Sequence, residues 1–245
     1  MSLPLNIIAN ADDFGWNALV NKAILYCFEN GYINSTSLMT NKPGFEEAAG
    51  MIHKHQVIKN VGVHVNIYSG KPHTDFPNKY YLLKNGDWDL EKTGKTAKLL
   101  DPRTKTYFFN EVEAQVKSAI GAGIKITHLD SHLHLHTLPG FYELFIEVAR
   151  RYNLKLRLAQ TYNEGNYLKF LYRWYINSKI KSAGCSYSDL FETAYHFIHN
   201  TASLKQGRTI EVMLHPRYTE SGELIDFYSK STMEEWITCV KTLER

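Results

Sequence analysis

Apolar runs of strand length alternate along the chain with segments whose apolar residues recur at helical spacing. The runs predict strands over residues 5–9, 35–39, 61–67, 124–129, 154–159 and 209–214. The helical spacing predicts helices over residues 17–30, 45–55, 108–121, 139–152 and 232–243. Gly31 suits the C-cap of the first helix, Asn110 the N-cap of the third, and Pro139 the first turn of the fourth. This alternation indicates βα units around a parallel sheet, and six strands allow a barrel.

Two long segments interrupt the alternation. Residues 69–107 are polar and contain three of the seven prolines, which predicts a long loop of functional or disordered character. Residues 162–198 are rich in aromatic side chains, which predicts mainly helix. The sequence contains no evident repeat or linker, so we expect residues 1–245 to form a single domain.

Composition narrows the functional class only modestly. With 44% hydrophobic and 22% charged residues, the chain has the make-up of a soluble globular protein, and its net charge of +3 gives no argument for nucleic acid. Three scattered cysteines without a CxxC pair argue against a cysteine-type structural zinc site and suit a reducing compartment. The first residues lack the features of a secretory signal, and no apolar run approaches the roughly 18 residues that span a bilayer. We therefore expect a cytoplasmic enzyme.

Residues with metal-ligand or acid–base chemistry lie where the predicted strands end. They are Asp12 and Asp13 after the first strand, His64 in the third, His128, Asp130 and His132 after the fourth, and His215 after the last. In parallel α/β folds the carboxyl ends of the strands form the functional site. Each residue alone also has an ordinary explanation, since an aspartate caps helices and a histidine is often a hydrogen-bonded core residue. Because four predicted strands bring such residues to the same edge of the sheet, a functional site is favoured over these separate explanations.

The run from His128 to His136 is the strongest single signal. It places four further ligand-type residues after His128 at alternate positions: Asp130, His132, His134 and His136. Alternate positions share one face of an extended chain, and such crowding favours a cation over a solvated strand face. One carboxylate and two imidazoles would leave open positions on Zn²⁺ or a similar ion, which would acidify water. Asp12 and Asp13 could divide the roles of ligand and base, and His215 could protonate a leaving group.

Four motifs together resemble the YdjC-like carbohydrate deacetylase family, whose best-known members act on chitooligosaccharides. The motifs are Asn10-Ala-Asp12-Asp13-Phe-Gly15, Gly62-Val-His64-Val-Asn66, Thr127-His128-Leu-Asp130-Ser-His132-Leu-His134-Leu-His136 and Glu211-Val-Met-Leu-His215-Pro216. The resemblance implies an α/β fold of the distorted TIM-type, (β/α) barrel-like kind, often as a homodimer. It implies removal of an acetyl group from an N-acetylated mono- or oligosaccharide, with a divalent ion such as zinc, magnesium, manganese or cobalt.

Carried over by motif, the resemblance implies that Asp13, His64 and one histidine of the run bind the metal. His132 is favoured for the third ligand, with His128 next. Asp12 would be the base, and His215 would lie on the acid side. Substrate contacts are expected from further residues of the same segments: Asn66, Asp130, His134, His136 and Arg217. The family usually has glycine after the His-Pro pair, so Arg217 alters what the substrate meets there.

Two other functions compete with this interpretation. His128, Asp130 and His215 formally fit the two-histidine, one-carboxylate pattern of iron(II) oxygenases, although the βα alternation is unlike the scaffold we would expect for that chemistry. A sugar-binding protein with a relict site is the other alternative, and the intact set of acids and histidines argues against it. The aromatic residues of 162–198 could stack on sugar rings, form a dimer face or simply fill a helical core.

Overall fold

The computed structural model describes residues 3–95, 100–186, 188–200 and 207–243. The strands in these ranges are Ile7–Phe14 (β1), Ser35–Leu38 (β2), Val61–Val65 (β3), His128–Ser131 (β4), Lys155–Leu156 (β5), Leu190–Thr193 (β6), Ile210–Leu214 (β7), Pro216–Tyr218 (β8) and Leu224–Asp226 (β9). The α-helices are Ala18–Glu29 (α1), Phe45–Lys54 (α2), Leu90–Lys95 (α3), Pro102–Gly121 (α4), Tyr142–Arg151 (α5), Tyr167–Ser182 (α6), Ala194–His199 (α7) and Lys230–Leu243 (α8). Short 3-10 turns lie at Lys79–Tyr81 and His132–Thr137.

Seven parallel strands form one curled sheet in the order β5-β4-β3-β2-β1-β7-β6. The sheet curls far enough for its two edges to approach each other. The amide of Thr161, just beyond β5, donates to the carbonyl of Phe191 in β6 at 3.0 Å, and Leu156 forms an isolated parallel bridge with Ser186. The barrel-like α/β fold expected from the sequence is therefore confirmed.

The central strand β1 shows how the chain sorts apolar from polar residues. Alternate residues of a strand point to opposite faces, so Ala9 and Ala11 share one face while Asn10 and Asp12 share the other. All four are buried. The side-chain Nδ2 of Asn10 donates to Oδ1 of Asp12 at 2.8 Å and to Oγ of Ser37 in β2 at 3.1 Å. The barrel interior is consequently polar near the carboxyl ends of the strands.

Helices supply the apolar layer outside the sheet. In α1, the side chain of Asn17 accepts from the amide of Val20 as the N-cap, and the buried face includes Ile24, Cys27 and Phe28. Gly31 follows this helix with φ +70°, as its expected place at the C-cap requires. Within the described residues, no helix combines the length and apolar character needed to cross a membrane.

Two strand boundaries differ from those predicted. Strand β1 continues to Phe14 rather than ending at residue 9, so both aspartates belong to the strand itself. The fourth strand lies at His128–Ser131 rather than 124–129. In both places the polar residues that the pattern interprets as a following loop are inside the barrel, where other polar groups satisfy them.

The predicted loop at residues 69–107 is wrong in part. It contains α3 and the first turns of α4, which begins at Pro102 because the side chain of Asp101, not that of Asn110, caps the helix. The loop also buries three aromatic rings against Phe108: Phe76, Tyr81 and Trp88, with ring centroids 4.9, 5.0 and 6.0 Å away. The apolar spacing starts only at Phe108 because the one buried residue in the first turns of α4 is the polar Thr104.

The aromatic segment 162–198 is helical only in part, since strand β6 separates α6 from α7. This strand has two apolar residues, too few to stand out in the sequence. The antiparallel hairpin formed by β8 and β9, in which Arg217 pairs with Ile225, is also absent from the predicted elements.

Gly62 provides a test of packing inside the barrel. A methyl group at this position would overlap the imidazole of buried His128. We expect Gly62→Ala to lower the free energy of unfolding by about 1–3 kcal/mol, as overpacking does elsewhere. Chemical denaturation measures the change. Gly50→Ala in α2 is the control, because its added methyl group meets nothing within 4 Å and helix propensity favours alanine by about 0.5–1 kcal/mol. Equal effects of the two substitutions would contradict the packing argument.

Candidate metal centre

Three side chains meet at the carboxyl end of the sheet: Asp13 of β1, His64 of β3 and His132 from the turn after β4. Oδ1 of Asp13 lies 3.1 Å from Nδ1 of His132 and 3.4 Å from Nε2 of His64. One ligand atom from each residue lies within 4.8 Å of the other two. One carboxylate and two imidazoles form a donor set that suits zinc or a similar divalent ion.

The end of β1 is distorted in a way that brings Asp12 and Asp13 to the same place. Consecutive strand residues normally point to opposite faces. Here the register with β2 shifts between Ala11 and Phe14, and Asp13 adopts a left-handed conformation with φ +68°. Asp12 therefore points into the barrel while Asp13 reaches the two histidines. Such a conformation is costly for a non-glycine residue and is common at functional sites.

His132 begins the 3-10 turn that follows β4. Leu133 and His134 then take left-handed conformations, with φ of 50° and 55°, so the chain turns sharply after Ser131. The extended alternation predicted for the whole run is wrong beyond that residue. The imidazole of His132 packs beside Trp16, with ring centroids 5.4 Å apart.

His64 is held from both sides of its ring. Its Nδ1 contacts Oδ1 of Asp130 at 2.7 Å, which directs Nε2 towards Asp13. A carboxylate behind a ligating histidine is a common arrangement in metal sites, where it fixes the orientation of the ring. Burial would lower the pKa of His64, but the charges of Asp130 and Asp12 outweigh it and raise the pKa to about 10. Burial would likewise raise the pKa of Asp13, but hydrogen bonds from His132 and His64 hold it well below its usual value.

Arg157, which the sequence analysis did not select, is the central cation of the interior. Its Nη1 and Nη2 contact the two oxygens of Asp12 at 2.7 Å each. Nη2 also lies 2.7 Å from Oδ2 of Asp130, and Nε lies 2.5 Å from Oε1 of Glu211. All four side chains are buried. The available signal was an arginine in the middle of the apolar run 154–159, at a position that points into the barrel.

Arg157 also makes the two sets of possible metal ligands different in charge. Asp12, His64 and Asp130 form a second set with ligand atoms within 4.8 Å, but the guanidinium already neutralises both carboxylates of that set. Burial would raise the pKa of Asp12, and the charges of Arg157 and His64 lower it overall. The set around Asp13 is therefore the better cation site, and Asp12 is an ionised carboxylate beside it.

His215 faces Asp12 across the mouth of the barrel. Its Nε2 lies 3.8 Å from Oδ2 of Asp12. Its backbone amide donates to Oδ2 of Asp226 at 2.7 Å, which ties the end of β7 to the hairpin. The ring of Tyr228 packs edge-on against the imidazole with centroids 4.7 Å apart.

A cavity of about 290 Å³ opens directly above these groups. Its described lining comprises the site residues Asp12, Asp13, His132 and His215 together with Trp16, Asn17, Leu19, Val20, Leu133, Pro216, Arg217, Tyr218, Thr219, Glu220, Phe227 and Tyr228. Carboxylate, imidazole and aromatic side chains thus line the same open cavity. This lining suits a small ligand that has both polar groups and an apolar face.

Several predicted site residues lie outside the described lining of this cavity. His128 is buried below the site, where Thr127 Oγ1 contacts its Nδ1 at 2.9 Å, and it belongs to neither ligand set. Asp130 supports His64 from behind. The side chain of Asn66 is buried and donates to Asn41 Oδ1 at 3.1 Å and to the carbonyl of Ser69 at 2.8 Å, so it organises loops.

The last two histidines of the run are also packed into the protein. His136 is buried, with Nδ1 2.7 Å from Ser131 Oγ. His134 faces the ring of Phe191 at 5.8 Å, and burial lowers its pKa to about 3. Of the predicted substrate contacts, Arg217 lines the cavity. The combination of His128, Asp130 and His215 proposed for an oxygenase is not among the ligand sets of the described residues.

Comparison with known proteins gives consistent results. The family model described as YdjC-like protein matches residues 6–240. A carbohydrate deacetylase from Geobacillus stearothermophilus is 30% identical over 221 residues, covering 89% of this chain and 82% of that protein. One from Thermoanaerobacter pseudethanolicus is 31% identical over 237 residues, covering 94% and 87%. A solved structure from Enterococcus faecalis V583, described as a candidate cellobiose-phosphate cleavage protein, superposes with a TM-score of 0.73 at 19% identity, covering 97% and 92%. At that identity the last likeness supports the fold alone.

Removing Arg157 should damage stability severely. We expect Arg157→Met to lower the free energy of unfolding by about 3–5 kcal/mol, because breaking a buried ion pair leaves uncompensated charge. Arg151→Met, which removes a half-exposed partner of Glu113, is the control, and surface pairs contribute at most about 1 kcal/mol. Chemical denaturation compares the two. Similar losses for both variants would show that the interior tolerates its carboxylates without the guanidinium.

Metal affinity should rise with pH. Because the pKa of His64 is raised to about 10 in the metal-free site, a cation that binds its Nε2 must displace a proton at neutral pH. We expect the Zn²⁺ association constant to increase up to about tenfold per pH unit between pH 6 and 8. Calorimetric titration in buffers of different ionisation enthalpy measures both the affinity and the proton released. A constant affinity without proton release would contradict this protonation state.

Proposed function

We propose that this chain, which belongs to the YdjC-like protein family, hydrolyses the acetamide of an N-acetylated mono- or oligosaccharide with a divalent metal ion. Relatives named carbohydrate deacetylase, matched over most of their length, support the reaction. The observation that carries the proposal is the meeting of Asp13, buried His64 and His132, of which Asp13 and His132 line an open cavity together with Asp12 and His215. We assign the activity to one catalytic domain of residues 1–245.

In this mechanism Asp13, His64 and His132 would hold a divalent ion. A divalent ion at this position would polarise the acetyl carbonyl and acidify the attacking water. Asp130 keeps His64 in the orientation that presents Nε2 to the site, through its 2.7 Å contact with Nδ1. Trp16 packs against His132 and restricts the movement of its ring.

Asp12 is the proposed general base. It lies beside the ligand set without belonging to the set around Asp13, and Arg157 fixes both of its oxygens. Its lowered pKa keeps it ionised at neutral pH, as an acceptor of a proton must be. Oδ1 also accepts from the side-chain amide of Asn10 at 2.8 Å, so Oδ2, which lies 3.8 Å from Nε2 of His215, is the oxygen proposed to take the proton of the attacking water.

His215 is the proposed general acid. When the carbon–nitrogen bond breaks, the departing sugar amine needs a proton, which the imidazole supplies. Its Nε2 lies 3.8 Å from Asp12 Oδ2, on the cavity side of that carboxylate. The water oxygen thus ends in acetic acid, one water proton passes to Asp12, and the amine leaves with the proton from His215. The second water proton is released when the acetic acid ionises to acetate.

The proposal predicts acetate release that depends on metal and on two different aspartates. With N-acetylglucosamine oligomers and Zn²⁺, Mn²⁺, Co²⁺ or Mg²⁺, the native chain should release acetate, and chelation should stop it. Asp12→Asn should lower kcat by about 10²–10⁴ while metal still binds, because a general base is lost. Asp13→Asn should lose metal and activity together. Enzymatic acetate assay and metal analysis separate these results.

Asp75→Asn is the matched control, because the Asp75 side chain is fully exposed. It should behave like the native chain. No acetate from any acetylated sugar, with metal bound, would contradict the proposal. Unchanged sugar affinity and no turnover in both the native and the Asp12→Asn proteins would favour the sugar-binding alternative. Oxygen uptake with Fe²⁺ would favour the oxygenase. The homodimer and the cytoplasmic location stay predictions.

A further inference from the structure

The β8–β9 hairpin forms one wall of the cavity, and it carries a cation there. Arg217 lies at the centre of β8 and lines the cavity together with Tyr218, Thr219 and Glu220. The hairpin lies outside the parallel sheet, so its side chains are not needed to fill the barrel. A charged residue in this wall is placed to contact a ligand that occupies the cavity.

Arg217 lacks the protein partners that a partly enclosed guanidinium usually has. Its Nε is buried and makes no hydrogen bond, and no ion pair with a carboxylate is found for Arg217 among the described residues. Arg157 in the same protein contacts three carboxylates. Because Nε is buried, a ligand in the cavity would meet the two Nη groups, and the charge of the guanidinium has no carboxylate beside it.

Phe227 holds the guanidinium in place. The carbon centre of the Arg217 guanidinium lies 4.7 Å from the centroid of this ring, in a cation–π contact. Stacking restricts the long side chain before any ligand arrives, so less conformational entropy is lost on binding. A planar, fixed fork of donors matches a carboxylate, phosphate or sulfate group, which it can bind through two parallel hydrogen bonds.

The acidic residues near Arg217 do not neutralise its charge. Asp12 is neutralised by Arg157, and Asp13 is hydrogen-bonded by His64 and His132. Glu220 lines the same cavity but is exposed at its rim and forms no ion pair with Arg217. The charge of Arg217 is therefore available to a ligand.

We propose that Arg217 selects acetylated sugars that carry an acidic substituent, by binding that group at the hairpin wall of the cavity. This inference rests on the proposed deacetylation. It names the substrate class: an N-acetylated sugar with a carboxylate, phosphate or sulfate group.

The test compares four sugars built on the same acetylated unit. They are neutral N-acetylglucosamine, its 6-phosphate, its 6-sulfate, and its 3-O-lactyl ether, which carries a carboxylate. The native chain should prefer at least one acidic sugar by roughly tenfold to a hundredfold in kcat/KM, the range expected for hydrogen bonds to charged groups. The preferred acid identifies the substituent.

Variants of Arg217 assign that preference to the residue. Arg217→Met should bring the ratio of acidic to neutral kcat/KM close to one, and Arg217→Lys should keep part of it, because a lysine retains the charge but not the planar fork. Glu220→Gln should increase the ratio by removing a negative charge from the rim. Arg103→Met, at an exposed arginine of α4, is the matched control and should keep the native ratio. Circular dichroism checks that each variant is folded.

Two results would overturn the inference while leaving the proposed function intact: equal kcat/KM for acidic and neutral sugars, or a preference that survives in Arg217→Met. If no sugar yields acetate, calorimetric Kd values for the same four sugars decide. A tenfold preference for an acidic sugar that Arg217→Met abolishes would support the site although deacetylation had failed. Equal Kd values would overturn both.

Discussion

The rest of the structure depends on one guanidinium group inside the barrel. Arg157 contacts Asp12, Asp130 and Glu211, each of which is buried, and none of these carboxylates could stay ionised there without a counter-charge. Burying ions costs several kcal/mol each, and only close contacts with further hydrogen bonds offset that cost. The arrangement is therefore a constraint on geometry. The strands β1, β4 and β7, which carry the three acids, must lie close enough to β5 for all three carboxylates to contact Arg157.

This constraint passes outward to the surface of the site. Arg157 fixes Asp130, and Asp130 fixes Nδ1 of His64. The direction in which Nε2 of His64 points therefore follows from a contact deep in the barrel. The position of Asp12 follows in the same way. Of the three possible metal ligands, Asp13 and His132 lie outside this network, and both are held by local backbone geometry: a left-handed residue at the end of β1 and a sharp turn after β4. Rigid interior charges and strained strand ends together form the site.

The sequence was sufficient for the βα alternation and for the idea that acids and histidines converge at one sheet edge. The structure places Asp13, His64 and His132 together, as that idea requires, although their roles stay predictions. The sequence was insufficient where the contacts between charged side chains matter, because hydrophobic spacing indicates only which residues are buried. Arg157 is hidden in an apolar run because hydrophobic spacing shows which residues face inward, not which charges they neutralise. The histidine run misled for a different reason: two non-glycine residues with positive φ end the extended chain, and such residues leave no mark in the sequence.

The hairpin stands in a different relation to the interior. It is joined to the site through the contact between the amide of His215 and Asp226, and its remaining cavity residues are not part of the network around Arg157. A change at Arg217 therefore alters the cavity wall without moving the groups proposed to hold the metal and to accept the proton. A change at Asp130 or Glu211 cannot be separated in this way, because each shares Arg157 with Asp12. The fold thus separates the residues proposed for hydrolysis from the residue proposed to select the sugar, and the boundary between them is His215, where the chain leaves the parallel sheet.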